Sequence, residues 1–151
     1  MKTIIPSLLT AMLTIVAVSG HAQTGLTVSQ VATVKNGDHQ IFIPTDKIQT
    51  ALNKLFGPSK RDFTIKFLSV ITYEDNFFLQ VIGVNNETCL IPLTEKDGKL
   101  LETIGAGAQI VLCAGKGDGC KPQLTENGWY CSDSTEECEK SVLVTDHSIF
   151  E

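Results

Sequence analysis

The 151-residue sequence contains few of the patterns on which catalytic sites depend. It has no G-x-S-x-G nucleophile elbow, and only two of its histidines, His39 and His147, follow residue 22. Each of the two comes directly after an aspartate, but neighbouring residues on a strand point to opposite faces, so neither pair forms a ready-made dyad. We therefore expect a protein that is not an enzyme.

A phosphate-binding loop and a basic cluster are also missing. The glycine-rich stretch 115–120 lacks the Ser or Thr that follows Gly-Lys in a Walker loop, and Cys120 stands where Gly-x-Gly-x-x-Gly needs its last glycine. The chain carries 12 basic and 17 acidic residues, whereas nucleic acids and anionic membranes attract proteins with an excess of positive charge. We expect no nucleic acid partner.

After the first 22 residues no stretch reaches the roughly 20 apolar residues that a membrane span takes. The N-terminus is different, because Lys2 precedes an apolar run over 4–18, which is followed by the small residues Ser19, Gly20 and Ala22. This pattern is typical of a secretory signal peptide over 1–22, cleaved after Ala22. The alternative, a membrane anchor, is disfavoured because the run is short. We expect the mature protein to be exported, either periplasmic or secreted, and to have no membrane span.

The rest of the chain, 23–151, has the length of a single domain. Its most regular segment is 45–58, where five apolar residues recur at helical spacing: Ile48, Ala51, Leu52, Leu55 and Phe56. This spacing predicts an amphipathic helix with Thr45 as its N-cap. Gly57 is expected to take the left-handed conformation after the last turn, and Pro58 prevents the helix from continuing.

Alternating apolar residues and short polar turns predict an antiparallel sheet. Asn36-Gly37, within 27–44, is typical of a type I′ turn between two strands. Polar turns separate three further strands over 62–72, 77–84 and 88–93. This arrangement is typical of a meander that presents one face to the helix.

Three details of this region are also predicted. Alternation along the first strand of the meander places four side chains on one face: Phe63, Ile65, Phe67 and Ile71. Pro92 indicates that the third strand ends there or lies at a sheet edge. The secondary structure of 99–104 is ambiguous from the sequence, and one interpretation is that the segment forms one or two helical turns.

The C-terminal part contains a strand over 108–115, and Trp129–Cys131 together with 140–146 predicts a last hairpin. The predicted fold class is therefore α+β. An antiparallel sheet carries one amphipathic helix packed on it, and a C-terminal disulfide-linked, cysteine-rich hairpin module covers about 113–146.

Four of the five cysteines lie in this module, in two C-x6-C pairs: Cys113, Cys120, Cys131 and Cys138. Exported proteins keep disulfides because their surroundings are oxidising, so we expect two bridges. Four cysteines allow three connectivities, and the spacing does not select one. One of these connectivities pairs Cys113 with Cys131 and Cys120 with Cys138, and it would link the two halves of the module covalently.

A four-cysteine metal or iron–sulfur site, which would make this a redox protein, is the alternative for the same residues. Structural zinc sites favour ligands separated by two to four residues, and the common ferredoxin spacings are absent. The lack of C-x-x-C argues against thioredoxin-like chemistry. We therefore expect neither a metal nor a cofactor.

Three more residues are candidates for function. Cys89 alternates with Ile91 and Leu93, which favours a buried free thiol over a reactive one. Trp129 and Tyr130 form an aromatic pair beside the cysteines, and they either anchor a partner or pack over the module's own small core. The predicted function is structural or binding, in a small exported, disulfide-stabilised domain. Its partner would be an unknown protein, of the cell envelope or another kind.

Overall fold

The computed structural model describes residues 28–57, 62–105, 107–115, 120–132 and 138–151, so the predicted signal peptide over 1–22 lies outside the described residues. Within them the chain forms ten strands and one helix. In chain order these are β1 (Gln30–Lys35), β2 (Asp38–Ile41), α1 (Thr45–Phe56), β3 (Ile65–Tyr73), β4 (Asn76–Gly83), β5 (Thr88–Lys96), β6 (Lys99–Glu102), β7 (Gln109–Gly115), β8 (Lys121–Thr125), β9 (Gly128–Ser132) and β10 (Cys138–Val144).

Eight of these strands form one antiparallel sheet, which is branched at β5. One edge of β5 pairs with β4, and the other pairs with β7 near its start and with β6 near its end. β3 follows β4, β10 follows β7, and β1 and β2 follow β6. The sheet curls until β2 lies beside β3, which makes it barrel-like. The predicted α+β fold therefore holds only in part, because the curved sheet dominates and the helix is short.

The first hairpin is confirmed. Asn36 and Gly37 have φ angles of 54° and 85°, as a type I′ turn requires, and they join β1 to β2 with Lys35 opposite Asp38. A second turn of this kind lies at Asp97-Gly98, where the φ angles are 53° and 72°. It joins β5 to β6, so a helical interpretation of 99–104 is wrong. The Asp-Gly pair reverses the chain and returns it as a strand.

Pro92 lies in the middle of the sheet, so its predicted position at a strand end or sheet edge is wrong. Its carbonyl accepts a hydrogen bond from the Thr103 N–H at 2.9 Å, on the edge of β5 that faces β6 and β7. Ladder pairing on that edge stops at Leu90 for β7 and resumes at Leu93 for β6. Proline is tolerated here because its missing N–H falls in the gap between two partner strands.

A β-bulge in β3 changes the face that was expected for this strand. The register with β4 shifts between Ile65 and Phe67. Beyond the shift, Leu68 and Val70 turn toward the core, whereas Phe67 is 56% exposed. The prediction that Phe67 shares a face with Ile65 is therefore wrong, because an inserted residue reverses the alternation of side chains.

The helix forms where the apolar spacing predicts it, but both ends differ from the prediction. Pro44, with extended backbone, occupies the N-cap, and Thr45 is the first helical residue. The N–H of Lys47 bonds to the Asp46 carboxylate at 2.9 Å, which satisfies a donor in the first turn. Gly57 stays right-handed, with φ −54°, because its N–H continues the helical pattern to the Asn53 carbonyl.

The sheet separates two apolar clusters. The inner core lies between the concave side of the sheet and α1, and its largest fully buried members include Ile48, Leu52, Leu79, Ile91, Leu100 and Phe150. The outer core lies on the opposite face and contains Phe78, Leu90, Val111, Cys113, Cys120 and Trp129. The central strands are therefore covered on both sides.

The cover of the outer core is a separate two-stranded sheet, β8 with β9, here named the cysteine hairpin (121–132). The prediction that Trp129–Cys131 pairs with 140–146 is wrong, because β10 pairs with β7 instead. β8 carries Pro122, which an edge strand tolerates and which obscures the strand in the sequence.

Candidate functional site

Two disulfides attach the cysteine hairpin to the main sheet. Cys113 in β7 bonds to Cys131 in β9, and Cys120, just before β8, bonds to Cys138 at the start of β10. The Cα atoms are 5.5 and 5.7 Å apart, respectively, within the usual range. The three possible connectivities thus reduce to this pairing, in which each bridge joins one half of the module to the other.

These bridges use the four sulfurs that the alternative interpretation assigns to a metal or an iron–sulfur cluster. A thiolate is the metal-binding form of cysteine, and none remains at these positions. Elsewhere in the described part of the chain, no group of three or more His, Cys, Asp or Glu side chains is placed to hold a metal ion.

Cys89 is the free cysteine of the described chain, and it is fully buried in the inner core. It lies opposite Val81 on one side and Leu112 on the other. Burial raises the pKa of its thiol far above the usual range. Cys89 therefore packs as a small apolar side chain, and the surrounding residues keep reagents away from its sulfur.

Trp129 is 9% exposed and packs against the main sheet. Its ring meets the Phe78 ring edge-on at a centroid distance of 5.4 Å and lies 5.9 Å from the Tyr73 ring. The Tyr73 hydroxyl donates to the Leu124 carbonyl at 3.3 Å, which fixes β8 above the same place. Trp129 is thus the main apolar contact through which the cysteine hairpin rests on the sheet.

Tyr130 lies on the opposite face of the hairpin and is 41% exposed. Its hydroxyl donates to the side-chain carbonyl of Gln123, whose amide group donates to Ser132 at 2.6 Å. Because side chains alternate along a strand, Trp129 and Tyr130 do not form one aromatic surface. Only Trp129 reaches the boundary between hairpin and sheet.

An open groove of about 370 Å³, here named the hairpin groove, runs along this boundary. Its apolar wall consists of Phe77, Phe78, Pro92, Leu93, Leu124 and Trp129. Its other lining residues are Asn76, Thr94, Thr103, Gly107, Ala108 and Gln109. None of these twelve residues is charged. A concave apolar surface with a few polar groups is the usual form of a binding site.

The polar groups of the groove are held in place by hydrogen bonds. The hydroxyls of Thr94 and Thr103 are 2.8 Å apart across β5 and the residue after β6. The Asn76 amide donates to the Glu74 carbonyl at 2.9 Å. Of the described groove residues, the sequence indicates only Trp129 as a candidate for binding, because the others converge only through the strand register.

A second groove, of about 380 Å³, lies between α1 and the C-terminal residues 149–151. Its charged lining residues are all exposed: Asp46, Lys47, Lys54 and Glu151. Exposed charges remain hydrated, and the two carboxylates balance the two lysines. This groove therefore lacks the desolvated polar groups that would define a site for an ion.

The segment after β10 is attached to the sheet by a buried carboxyl. Glu102 is 2% exposed, and it accepts hydrogen bonds from the Ser148 hydroxyl and, at 2.9 Å, from the Ile149 N–H. Burial raises the pKa of the Glu102 carboxyl, and these two hydrogen bonds oppose that effect. Glu151 raises the pKa further, whereas His147 lowers it.

Glu102→Gln should reduce the pH dependence of the free energy of unfolding. Because burial raises the carboxyl pKa in the folded state, the folded protein holds this proton more tightly than the unfolded chain does. Protonated Glu102 therefore contributes fully to the free energy of unfolding at pH values below the unfolded-state pKa of about 4.3. This contribution is lost as the pH rises through the folded-state pKa. Urea denaturation between about pH 4 and about pH 7 should show the wild-type protein losing stability relative to Glu102→Gln.

Glu102→Ala is the matched control for the hydrogen bonds. It leaves the Ile149 N–H and the Ser148 hydroxyl without their acceptor, so it should cost about 1–3 kcal/mol at each pH. If Glu102→Gln followed the wild-type pH profile, the titration of this carboxyl would not be coupled to folding.

Comparison with known proteins identifies no relative of this chain. No family model, no curated protein and no solved structure matches the chain. Within the described ranges, no helix has the length and apolar character needed to span a membrane. By its fold, the described part of the chain is a disulfide-stabilised, barrel-like antiparallel sheet with one helix.

Proposed function

We propose that this protein is an exported, non-enzymatic binding domain that recognises a protein partner through the hairpin groove. The observation that carries the proposal is the cysteine hairpin itself. It is a separate two-stranded sheet, attached by one disulfide at each of its strands, and it forms one wall of an aromatic-lined groove whose described lining residues are all uncharged.

Export is supported by the two disulfides and by the signal-peptide pattern over 1–22. Disulfides persist in oxidising compartments and are rare in the cytosol. A bridge at each strand of the hairpin reduces the freedom of the groove wall before any partner arrives. Such preorganisation favours affinity because less conformational entropy is lost on binding.

A binding role is favoured over a catalytic one by the chemistry of the groove. Its polar side chains are amides and hydroxyls, and neither histidine of the described chain lines it. The two buried acids of the described chain are engaged outside the groove, Glu102 with the segment after β10 and Glu87 with Asn85. Apolar walls with fixed hydrogen-bonding groups are suited to selecting a partner rather than to transferring a proton.

Site-specific photocrosslinking in the exporting cell tests the proposed function. Gln109 lines the groove and is exposed, so a photoreactive amino acid at this position should form a covalent adduct with the partner. Gln40 is the matched control, because it is also an exposed strand glutamine but lies on β2, outside the groove.

The expected result is one adduct band that position 109 gives and position 40 does not, and that Leu124→Ala weakens. Leu124 contributes to the apolar wall of the groove. Mass spectrometry of the adduct should identify a single protein. Equal adducts from both positions, or none from position 109, would contradict binding through the groove.

A further inference from the structure

We propose that Asn86 carries an N-linked oligosaccharide, an inference that rests on the export proposed above but not on the hairpin groove. Asn86-Glu87-Thr88 has the form Asn-x-Thr, in which x is not proline, and this is the acceptor pattern for N-glycosylation in secreted proteins. The full sequence contains the pattern once, because none of its other asparagines is followed two positions later by serine or threonine.

Asn86 lies in the turn that joins β4 to β5. Its backbone has a φ angle of 63°, a conformation that asparagine adopts more readily than most residues. Its N–H donates to the Gly83 carbonyl at 3.1 Å, and its side chain is partly exposed. A bulky, solubilising group attached at this turn can extend into solvent without displacing a strand.

The turn is held in place by the buried carboxyl of Glu87, the middle residue of the pattern. Glu87 is 7% exposed, and it accepts hydrogen bonds from the Asn85 N–H at 3.1 Å and from the Asn85 amide at 3.0 Å. Gly83 makes room for this carboxylate, because a Cβ at that position would collide with it. The turn therefore engages the amide of Asn85 in its own structure, and Asn86 is the asparagine that has the acceptor pattern.

Thr88 determines when the sugar can be transferred. The transferring enzyme reads the hydroxyl of this residue as part of the pattern, but Thr88 is 4% exposed and lies between Ile82 on β4 and Cys113 on β7. The folded sheet thus covers the hydroxyl. Transfer takes place before β5 pairs with its neighbours, while the chain is being exported.

The sugar donor is an oligosaccharide linked to a lipid pyrophosphate. The side-chain nitrogen of Asn86 forms a bond to C1 of the first sugar and loses one proton. The bond between C1 and the pyrophosphate oxygen breaks, and the lipid pyrophosphate leaves with the electron pair. The transfer needs neither an oxidant nor a reductant.

Two exposed apolar side chains lie beside the turn, and the sugar would cover them. Val84, two positions before Asn86, is 50% exposed. Phe67 is 56% exposed and lies opposite Ile82, near the end of β4. A pyranose ring has an apolar C–H face, so its contact with these side chains removes apolar surface from water.

The glycan and the hairpin groove lie at opposite ends of β4. Asn76, at the start of this strand, lines the groove, whereas Gly83, at its end, precedes the turn. The rise along a strand separates the two residues by about 23 Å. A glycan at Asn86 therefore leaves the groove open, and its presence can be tested separately from partner binding.

Intact-mass spectrometry of the protein isolated from the cell that exports it tests this inference. The mass should exceed that of the mature chain by whole sugar residues. Peptide N-glycosidase should remove the excess completely and convert Asn86 to aspartate, which peptide mapping locates.

A pair of substitutions at Thr88 provides the matched control. Thr88→Val keeps a buried side chain of the same shape without the hydroxyl, so it should abolish the added mass. Thr88→Ser keeps the hydroxyl and should retain the added mass. If Thr88→Val does not fold, Asn86→Gln at the partly exposed acceptor decides the question by the same loss.

An unmodified Asn86 in exported protein that has lost residues 1–22 would overturn this inference and leave the proposed function standing, since cross-linking at Gln109 does not depend on the sugar. An added mass that persists in Asn86→Gln would also overturn it, because the sugar would then be attached elsewhere. If the protein keeps residues 1–22 and stays in the cytosol, both the proposed export and the glycosylation are wrong.

Discussion

Replacing Cys120 and Cys138 together by alanine should lower the free energy of unfolding by about 3 kcal/mol, because the bridge closes a loop of about 18 residues in the unfolded chain. The double substitution should destabilise the cysteine hairpin itself as well as the whole fold. The cysteine hairpin pairs only within itself, and an isolated two-stranded hairpin is marginally stable. With its β8 end released, we expect Trp129 to leave the Phe78 ring more often.

Urea denaturation followed by the fluorescence of the single tryptophan measures both effects, as a lower midpoint and as a red-shifted native emission. Cys89→Ala is the control, since it removes a buried sulfur that forms no bridge and should cost only about 1 kcal/mol. Alkylation of the denatured, unreduced protein should label Cys89 alone of the five cysteines. A double-alanine variant as stable as the wild type would mean that the bridge contributes nothing.

Phe150→Ala should be at least as destabilising, with a loss of about 3–5 kcal/mol. Phe150 is 1% exposed and belongs to the inner core, although it lies in the segment after the last strand. Removing the ring leaves a cavity beside Ala51 of α1 and weakens the docking of residues that Glu102 holds through Ser148 and Ile149. Calorimetry or urea denaturation would report the change.

Phe67→Ala is the matched control, because it removes the same ring from a position that is 56% exposed. Surface substitutions of this kind usually change stability by no more than about 0.5 kcal/mol. Similar losses at the two positions would contradict the burial of Phe150. A loss of stability at Phe150 with no effect on cross-linking at position 109 would also separate the stability of the inner core from the proposed binding through the groove.

The two predictions concern opposite faces of one sheet, and this arrangement has a consequence for function. Phe150 and α1 fill the concave side, whereas the disulfides hold the hairpin on the convex side. Strands such as β4 and β5 are buried on both faces, so the groove rests on a rigid floor. The groove wall itself depends on two covalent links and on Trp129. Reduction should therefore impair the proposed binding before it unfolds the sheet.

Several elements could be predicted from the residues because the signal for each is local. The helix depends on the spacing of Ile48, Leu52 and Phe56 along one face, and the first hairpin depends on the positive φ angles that Asn36-Gly37 adopts readily. The Asp97-Gly98 turn carries a signal of the same kind, and the strand that follows it could have been predicted on this basis. The composition of 99–104 does not distinguish a helix from a strand, whereas the turn before it does.

Other features had no local signal. The bulge that exposes Phe67 depends on how β3 pairs with β4, and the tolerance of Pro92 depends on two different strands sharing one edge of β5. Neither can be read from residues that are adjacent in the chain, since strand register is set by contacts with distant segments.

By itself the sequence determined that the chain contains strands joined by short turns, one amphipathic helix and four cysteines in a single C-terminal module. Tertiary structure decided which cysteines pair, because only the stacking of the hairpin on β7 and β10 brings Cys113 to Cys131 and Cys120 to Cys138. It also decided that Trp129 faces the groove while Tyr130 faces solvent. The physical reason is that alternation along a strand divides residues between two faces, and only packing against the rest of the fold selects which face is buried.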